Sequence, residues 1–240
     1  MVKHSLFLQL IRTERKMILT IADILSACEL ETFRAECDQL TWRDGSNTAG
    51  VVARSVKRNL QADLSKGRGL RVRRALEDAI FQNPLLQSSA RPARFSPPIL
   101  SRSDAGGGYG THVDNAFMGA GPARLRTDLS YTLFLSDPDH YAGGELVIDL
   151  PGSTQSYKLN AGDLLLYPST YLHGVTEVGS GSRLACVGWI ESHVPAPEDR
   201  EILFDLENLK AALADQYGAA APERLIAMKL MSNLLRRFSR

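Results

Sequence analysis

The sequence predicts an α+β protein: helices first, then a β core of many short strands, then a helical tail. Three observations predict it. Apolar residues recur at helical spacing in two early and two late segments. The middle of the chain breaks into short apolar runs separated by turns. Nowhere do strand and helix signals alternate regularly enough for a parallel βαβ sheet. Closely spaced strands of this kind form a sandwich or a barrel.

The first sixteen residues, MVKHSLFLQLIRTERK, hold a short apolar patch followed by strong charges and no small-residue cleavage site. They are not read as a signal peptide. A more natural beginning is MILTIADILS from Met17, so residues 1–16 are expected to be a start-site artefact or a flexible N-terminal extension. Residues 22–40 place Leu25, Cys28, Leu30, Phe33, Cys37 and Leu40 at helical spacing, with Asp23 or Ser26 as the cap. A second helix is expected over Arg68 to Phe81, burying Leu70, Ala75, Leu76 and Ile80. NPLLQSSARPARFSPP reads as a proline-bounded connection. Strands follow in DLSYTLFLS (128–136), in GGELVIDLPG (143–152), on either side of Asn160-Ala161-Gly162, and in SRLACVGWIES (182–192). The tail carries two apolar stripes. One is Ile202, Leu206, Leu209 and Leu213; the other is Leu225, Met228, Met231, Leu235 and Phe238, with Pro222 suited to a first helical turn.

Bulk properties exclude several classes. The 240 residues carry 28 basic and 27 acidic side chains, a formal net charge of +1, so no strong field draws the chain to nucleic acid or to a membrane surface. The basic runs RGLRVRR and RRFSR read as solvated helix faces. No apolar run is long enough to span a bilayer. Cys28, Cys37 and Cys186 have neither zinc-like spacing nor a disulfide framework, which fits a reducing cytoplasm.

The chemistry is concentrated in GGGYGTHVDNAF, Gly106 to Phe117. Side chains at i and i+2 of an extended strand share a face, so His112 and Asp114 can offer an imidazole nitrogen and a carboxylate oxygen to one point. A third donor is needed. His140 lies in a turn and His193 follows the last strand. His173, after an apolar strand and a proline turn, stands at a strand mouth able to reach across a small barrel. Two histidines and one carboxylate on one side of a metal suit non-haem Fe(II) enzymes that activate oxygen. Arg183 follows ten residues later. A buried guanidinium requires an anion, and the distal carboxylate of 2-oxoglutarate is one. Strand parity sets Arg183, Ala185, Val187 and Trp189 on one face, so Trp189 would wall the cavity that Arg183 enters. Taken singly, a His-x-Asp pair arises by chance, His173 is a turn histidine and Arg183 pairs with a surface acid; the joint order and spacing favour the metal site.

YGTHVDNAF, YAGGELVI, AGDLLLYPSTYLHGV and SRLACVGWIE together resemble the prolyl 4-hydroxylase-like branch of the Fe(II)/2-oxoglutarate-dependent dioxygenases, within it the PKHD-type hydroxylases that include PiuC-like iron-uptake factors. The resemblance runs from about Met17 to the C-terminus. It implies a double-stranded β-helix (jelly-roll) core with flanking helices. It implies Fe(II) held by His112, Asp114 and His173, and 2-oxoglutarate bound by Arg183. Tyr109 and Trp189 match aromatic pocket positions, and Thr132 matches a wall position for the cosubstrate. L-ascorbate is the implied reductant. One departure stands out: relatives carry an Arg-Tyr pair nine residues before the first ligand, where this chain has Arg102-Ser103. The phenol expected beside the cosubstrate is therefore missing there.

These readings give a dioxygenase domain over 17–194 and a helical extension over 195–240. The expected activity is hydroxylation, with dioxygen, of an unidentified small-molecule or peptidyl substrate, linked through the PiuC-like relatives to iron or siderophore uptake. The rival readings are an iron-binding or iron-sensing module without catalysis, which would not need Arg183, and a zinc hydrolase, which would want a nearby carboxylate as general base. The C-terminal helices are read as packing on the barrel or on a second subunit, giving a homo-oligomer.

Overall fold

Strands and helices interleave earlier than the sequence predicts. The computed structural model describes residues 18–48 and 56–239, and the N-terminal extension expected at 1–16 lies outside the described residues. Strand β1 (Leu19–Ile21) precedes helix α1 (Ala27–Cys37). Three short strands, β2 (Trp42–Asp44), β3 (Lys57–Arg58) and β4 (Leu60–Ala62), precede helices α2 (Gly67–Phe81) and α3 (Pro84–Ala90). Strands of two or three residues are too short to show alternation, so their pairing partners define them.

Ser26 starts α1 through a capping box: its hydroxyl accepts from the Glu29 N–H at 3.4 Å and the Glu29 carboxylate accepts from the Ser26 N–H at 2.8 Å. Helix α2 forms where expected but buries Gly69, Val72, Leu76 and Ile80, whereas Leu70 is half-buried and Ala75 exposed. One residue of offset turns a helix by about 100°, enough to exchange these faces. The stretch read as a connection contains α3. Asn83 Oδ1 accepts from the Leu85 and Leu86 N–H groups at 3.0 Å each, and Pro84 occupies the first turn. Arg91, left-handed at φ 48°, ends it before strand β5 (Pro92–Phe95).

The remaining strands are β6 (Ile99–Asp104), β7 (Gly108–His112), β8 (Phe117–Met118), β9 (Leu125–Arg126), β10 (Leu129–Phe134), β11 (Tyr141–Gly143), β12 (Leu146–Leu150), β13 (Ser153–Tyr157), β14 (Leu164–Pro168), β15 (His173–Val175) and β16 (Val178–Ser192). Among the described residues they form two larger antiparallel sheets and the β8–β9 hairpin. The first sheet runs β1-β14-β10-β16-β6-β4-β2, with β5 and β11 also on β16; the second runs β13-β12-β15-β7-β3.

Period-two alternation divides the first sheet's residues between two layers. Leu129, Tyr131 and Leu133 of β10, Leu164 and Leu166 of β14, and Cys186 and Ile190 of β16 pack against α1, α2 and α3. Phe134 of β10 and Leu165 and Tyr167 of β14 pack with Leu146, Ile148 and Leu150 of the second sheet. All six residues of β10 are therefore buried. The functional residues occupy the space between the two sheets.

At the C-terminus, helices α4 (Pro197–Tyr217) and α5 (Pro222–Phe238) pack on each other. Leu206, Leu234, Leu235 and Phe238 surround Val194, Leu203 and Met231. Buried Arg200 fixes the entry into α4 by donating to the carbonyls of Val194 and Pro195, in the segment after β16, at 2.7 and 2.8 Å. Parts of both expected stripes face outward instead: Ile202, Leu209, Leu225 and Met228 are exposed. No helix among the described residues is long and apolar enough to cross a membrane.

Leu76 and Ala75 test the observed face of α2. Leu76→Ala should cost about 2–5 kcal/mol in chemical denaturation, because it opens a cavity against the first sheet. Ala75→Glu should change stability by less than about 0.5 kcal/mol. Equal losses would place the face where the sequence reading put it.

Candidate active site

Antiparallel pairing of β7 with β15 sets His112 directly across from His173. Gly174 permits the approach, since a Cβ there would lie 2.9 Å from the Tyr109 carbonyl oxygen. The imidazole centroids are 4.4 Å apart. His173 is thus on the neighbouring strand of the same sheet; the expectation that it reaches across a barrel is corrected. Asp114 follows just beyond the end of β7, and its Oδ2 lies 3.7 Å from His173 Nε2. One donor atom from each of His112, Asp114 and His173 falls within 4.8 Å of the other two, the one such His/Cys/Asp/Glu cluster among the described residues. His140 and His193 are exposed, as the sequence suggests.

The surroundings orient these donors. His112 Nδ1 lies 2.9 Å from the Gly110 carbonyl and His173 Nδ1 lies 3.0 Å from the Tyr171 carbonyl. A carbonyl only accepts, so each Nδ1 carries the proton and each Nε2 keeps its lone pair for a metal. Burial, and then the neighbouring His173, push the His112 pKa down to about 4, which leaves that ring neutral near pH 7. Asp114 Oδ2 accepts from Ser130 Oγ at 2.6 Å, and Ser130 is itself paired with Ser169 at 2.7 Å. Tyr109 stacks on His112 at 3.7 Å, and Tyr167 meets the His173 ring edge at 5.2 Å. Two imidazoles held at Nδ1 by carbonyls, with Nε2 turned to a hydrogen-bonded carboxylate, fit Fe(II).

The three donors open into a cavity of about 450 Å³ between the sheets. Arg183, Val187 and Trp189 line it from β16, as parity predicts, and Thr132 lines it from β10. Arg183 is 4 % exposed, and its Nε and Nη2 are buried without a hydrogen-bond acceptor. Burial lowers its pKa from the ordinary arginine value, while Tyr141 and Tyr167 beside it act in the opposite direction. A buried guanidinium with free donors, opening on the same cavity as the donor triad, fits the carboxylate of a dicarboxylic acid.

Several residues of this region escaped sequence reasoning. Tyr141 and Tyr167 put phenols next to Arg183 from β11 and β14, whereas Ser103 pairs with Arg183 directly across β6 and β16. Gly144, at φ +69°, makes room for that cluster: a Cβ there would lie 2.9 Å from the Tyr141 ring and 3.1 Å from Arg183 Cδ. Tyr141 stands immediately before the AGGEL turn, the one signal that could have pointed to it. Lys57 lines the cavity from β3, its Nζ 5.0 Å from the Tyr109 ring centroid.

Fold and cavity together define an oxygenase of the 2-oxoglutarate type. Residues 99–191 match the family described as the 2OG-Fe(II) oxygenase superfamily. The chain is 50% identical over 222 residues to a PKHD-type hydroxylase of Hyphomonas neptunium, covering 92% of this chain and 99% of that relative. It is 43% identical over 223 residues to a PKHD-type hydroxylase of Synechococcus elongatus, covering 93% of this chain and 100% of that relative. In fold it is similar to a Trichoplax adhaerens prolyl hydroxylase solved with a hypoxia-inducible-factor peptide fragment, with a TM-score of 0.55, 15% identity, and coverage of 78% of this chain and 86% of that one. The protein belongs to the PKHD-type hydroxylases, and as an enzyme it is a 2-oxoglutarate-dependent dioxygenase.

Ser130 provides the test of the donor geometry. Ser130→Ala removes the hydroxyl bonded to Asp114 while keeping all three donors. It should weaken Fe(II) or Ni(II) binding by about 10–100-fold in anaerobic calorimetry. His173→Ala should abolish stoichiometric binding. Unchanged affinity in both variants would remove the cluster as the metal site.

Proposed function

We propose that His112, Asp114 and His173 hold one Fe(II), that Arg183 grips the distal carboxylate of 2-oxoglutarate, and that the cavity hydroxylates a small-molecule or peptidyl substrate. The observation carrying this reading is that the donor triad and a buried guanidinium whose Nε and Nη2 lack an acceptor open on the same cavity. When bound, the iron, with 2-oxoglutarate and dioxygen, supplies oxidative C–H chemistry coupled to loss of carbon dioxide from the cosubstrate. The chain's residues orient and exclude. The Gly110 and Tyr171 carbonyls fix both imidazoles, Ser130 fixes Asp114, and Arg183 with Tyr141 and Tyr167 sets the cosubstrate's far end. Thr132, Val187 and Trp189 form the wall that keeps water from the reacting centre, and Tyr109 backs His112.

The two facing sheets support a double-stranded β-helix core over 17–194 and a separate helical extension over 195–240. Three free cysteines among the described residues support a reducing, cytoplasmic setting. Ascorbate would serve as the reductant that returns oxidised metal to Fe(II), and the PiuC-like resemblance supports a role in iron acquisition. A peptidyl substrate has its precedent in the peptide complex of the Trichoplax enzyme. The rival modules fit less well. An iron sensor has no use for a desolvated arginine, and among the described cavity residues Asp114 is the only carboxylate, so a zinc hydrolase would lack a general base.

Two measurements test the proposal. Carbon dioxide release from labelled 2-oxoglutarate should require Fe(II) and vanish in His112→Ala. Arg183→Ala should raise the 2-oxoglutarate Kd by about 30-fold or more, through loss of a buried charge pair, and Tyr141→Phe by a smaller factor. Full release by Arg183→Ala at low cosubstrate would count against the clamp. Separately, the exposed Ile202, Leu209, Leu225 and Ile226 of α4 and α5 support a homo-oligomer. Light scattering should give a multiple of the 26.4 kDa chain mass, reduced to the monomer by Leu209→Glu with Ile226→Glu. A monomeric wild type would end that part of the proposal.

A further inference from the structure

The hydroxyls behind Asp114 form a chain with one possible direction. A carboxylate only accepts hydrogen bonds, so Ser130 spends its single hydroxyl proton on Asp114 Oδ2, 2.6 Å away. In the 2.7 Å contact between Ser130 and Ser169, the Ser130 oxygen must then accept and Ser169 must donate. Proton count alone sets the order Ser169 to Ser130 to Asp114. Both serines are buried, so bulk water does not compete for either hydroxyl, and the two bonds reinforce each other in an interior of low polarity.

The fold gives this chain its purpose. His112 and His173 are held in a paired register, whereas Asp114 lies past the end of β7 and outside that ladder. Its segment is fastened to the other sheet instead. Thr127 Oγ1 donates to the Asn115 carbonyl at 2.5 Å, and the Thr127 N–H donates to the Ala116 carbonyl at 3.1 Å. Ser130 then reaches Asp114 from β10. Ser169 follows β14 directly, and it meets Ser130 because Leu129 pairs with Pro168 and Ser130 with Tyr167. Its own backbone is anchored, its N–H donating to the Asp128 carbonyl at 3.3 Å. Four residues later the same turn delivers His173, whose Nδ1 is held by the Tyr171 carbonyl. One turn, 168–173, thus carries both an imidazole donor and the far support of the carboxylate donor.

We infer that Ser169 is a positioning residue for the metal site. Its hydroxyl pins the Ser130 oxygen, and so fixes the orientation in which Asp114 is offered to the metal. Ser169 is not among the described residues that line the cavity, and it acts through Ser130. The inference rests on the Fe(II) assignment above and extends it by one residue that the donor set does not contain.

A double-mutant cycle on the full chain tests it, read by anaerobic calorimetry with Ni(II). Ser169→Ala should weaken Ni(II) binding by about 3–10-fold, the scale of one buried hydrogen bond and less than the loss in Ser130→Ala. In the Ser130→Ala background the same change should cost less than about 2-fold, because the group through which Ser169 acts is gone. Co(II) supplies a spectroscopic readout: the visible bands of Ser169→Ala should move in the same direction as those of Ser130→Ala. The thermal midpoint of each metal-free variant verifies folding. Ser169→Cys, which keeps a weak donor in nearly the same volume, carries the cycle if alanine does not fold. Undiminished affinity, unshifted Co(II) bands, or an equal loss with and without the Ser130 hydroxyl would overturn the inference. Failure of the wild-type chain to bind Ni(II) would instead overturn the metal assignment on which it stands.

Discussion

Register between β7 and β15 is the constraint on which the rest of the site depends. Antiparallel pairing puts His173 across from His112, and a slip of one residue along either strand would turn one imidazole to the opposite face of the sheet. The register is held from both sides. Ile148 of β12 pairs with His173 on one flank, and Lys57 of β3 pairs with Tyr109 on the other. Gly174 allows the two backbones to meet, and the His112 and His173 Nδ1 protons are spent on carbonyls two residues upstream of each ring. Those local bonds fix which nitrogen remains available before any metal arrives.

The same alternation that builds the core builds the cavity. On β10, Leu129, Tyr131 and Leu133 meet the helices while Ser130 and Thr132 face the other sheet. On β16, Cys186 and Ile190 meet the helices while Arg183, Val187 and Trp189 line the cavity. All of β10 is buried, as is Arg183 on β16, which is why a polar residue on the inner face there must be satisfied by the cavity's contents or by another strand. Ser130 is satisfied by Asp114 and Ser169. Arg183 is left with two donor nitrogens and no acceptor.

Much of this was legible in the sequence because it depends on spacing within one strand. Arg183, Val187 and Trp189 follow from period two along β16, whereas Asp114 joins His112 from just beyond the end of β7, where that alternation stops. The capping box at Ser26 follows from residues three apart. What could not be read depends on partners distant in sequence. Lys57, Tyr141 and Tyr167 reach the site only through pairings of β3, β11 and β14 that no local pattern announces. The sequence singles out His173 as a candidate donor but not its place beside β7, because periodicity says which face a residue takes and not which strand it will neighbour. The helix faces failed for a related reason. Val72 rather than Leu70 faces the sheet, and Ile202 and Leu209 face outward. An amphipathic stripe wider than its partner leaves the choice of contact to packing. Helix α3, seven residues long, offers less than two full turns of pattern, and only Asn83-Pro84 marked it.

Tyr141 and Tyr167 supply, beside Arg183, the phenols that Ser103 does not. Ser103 and Arg183 are direct partners across β6 and β16, so a large side chain at 103 and a long one at 183 would compete for the same inner space. With serine there, the space beside the guanidinium stays open toward the cavity. Tyr141 is seated by Gly144 and held from above by Lys158, whose Nζ lies 4.2 Å from its ring and donates to its carbonyl at 2.7 Å. The phenols beside the guanidinium therefore come from β11 and β14 and not from β6. The guanidinium remains desolvated, and desolvation is what makes a carboxylate its favourable partner.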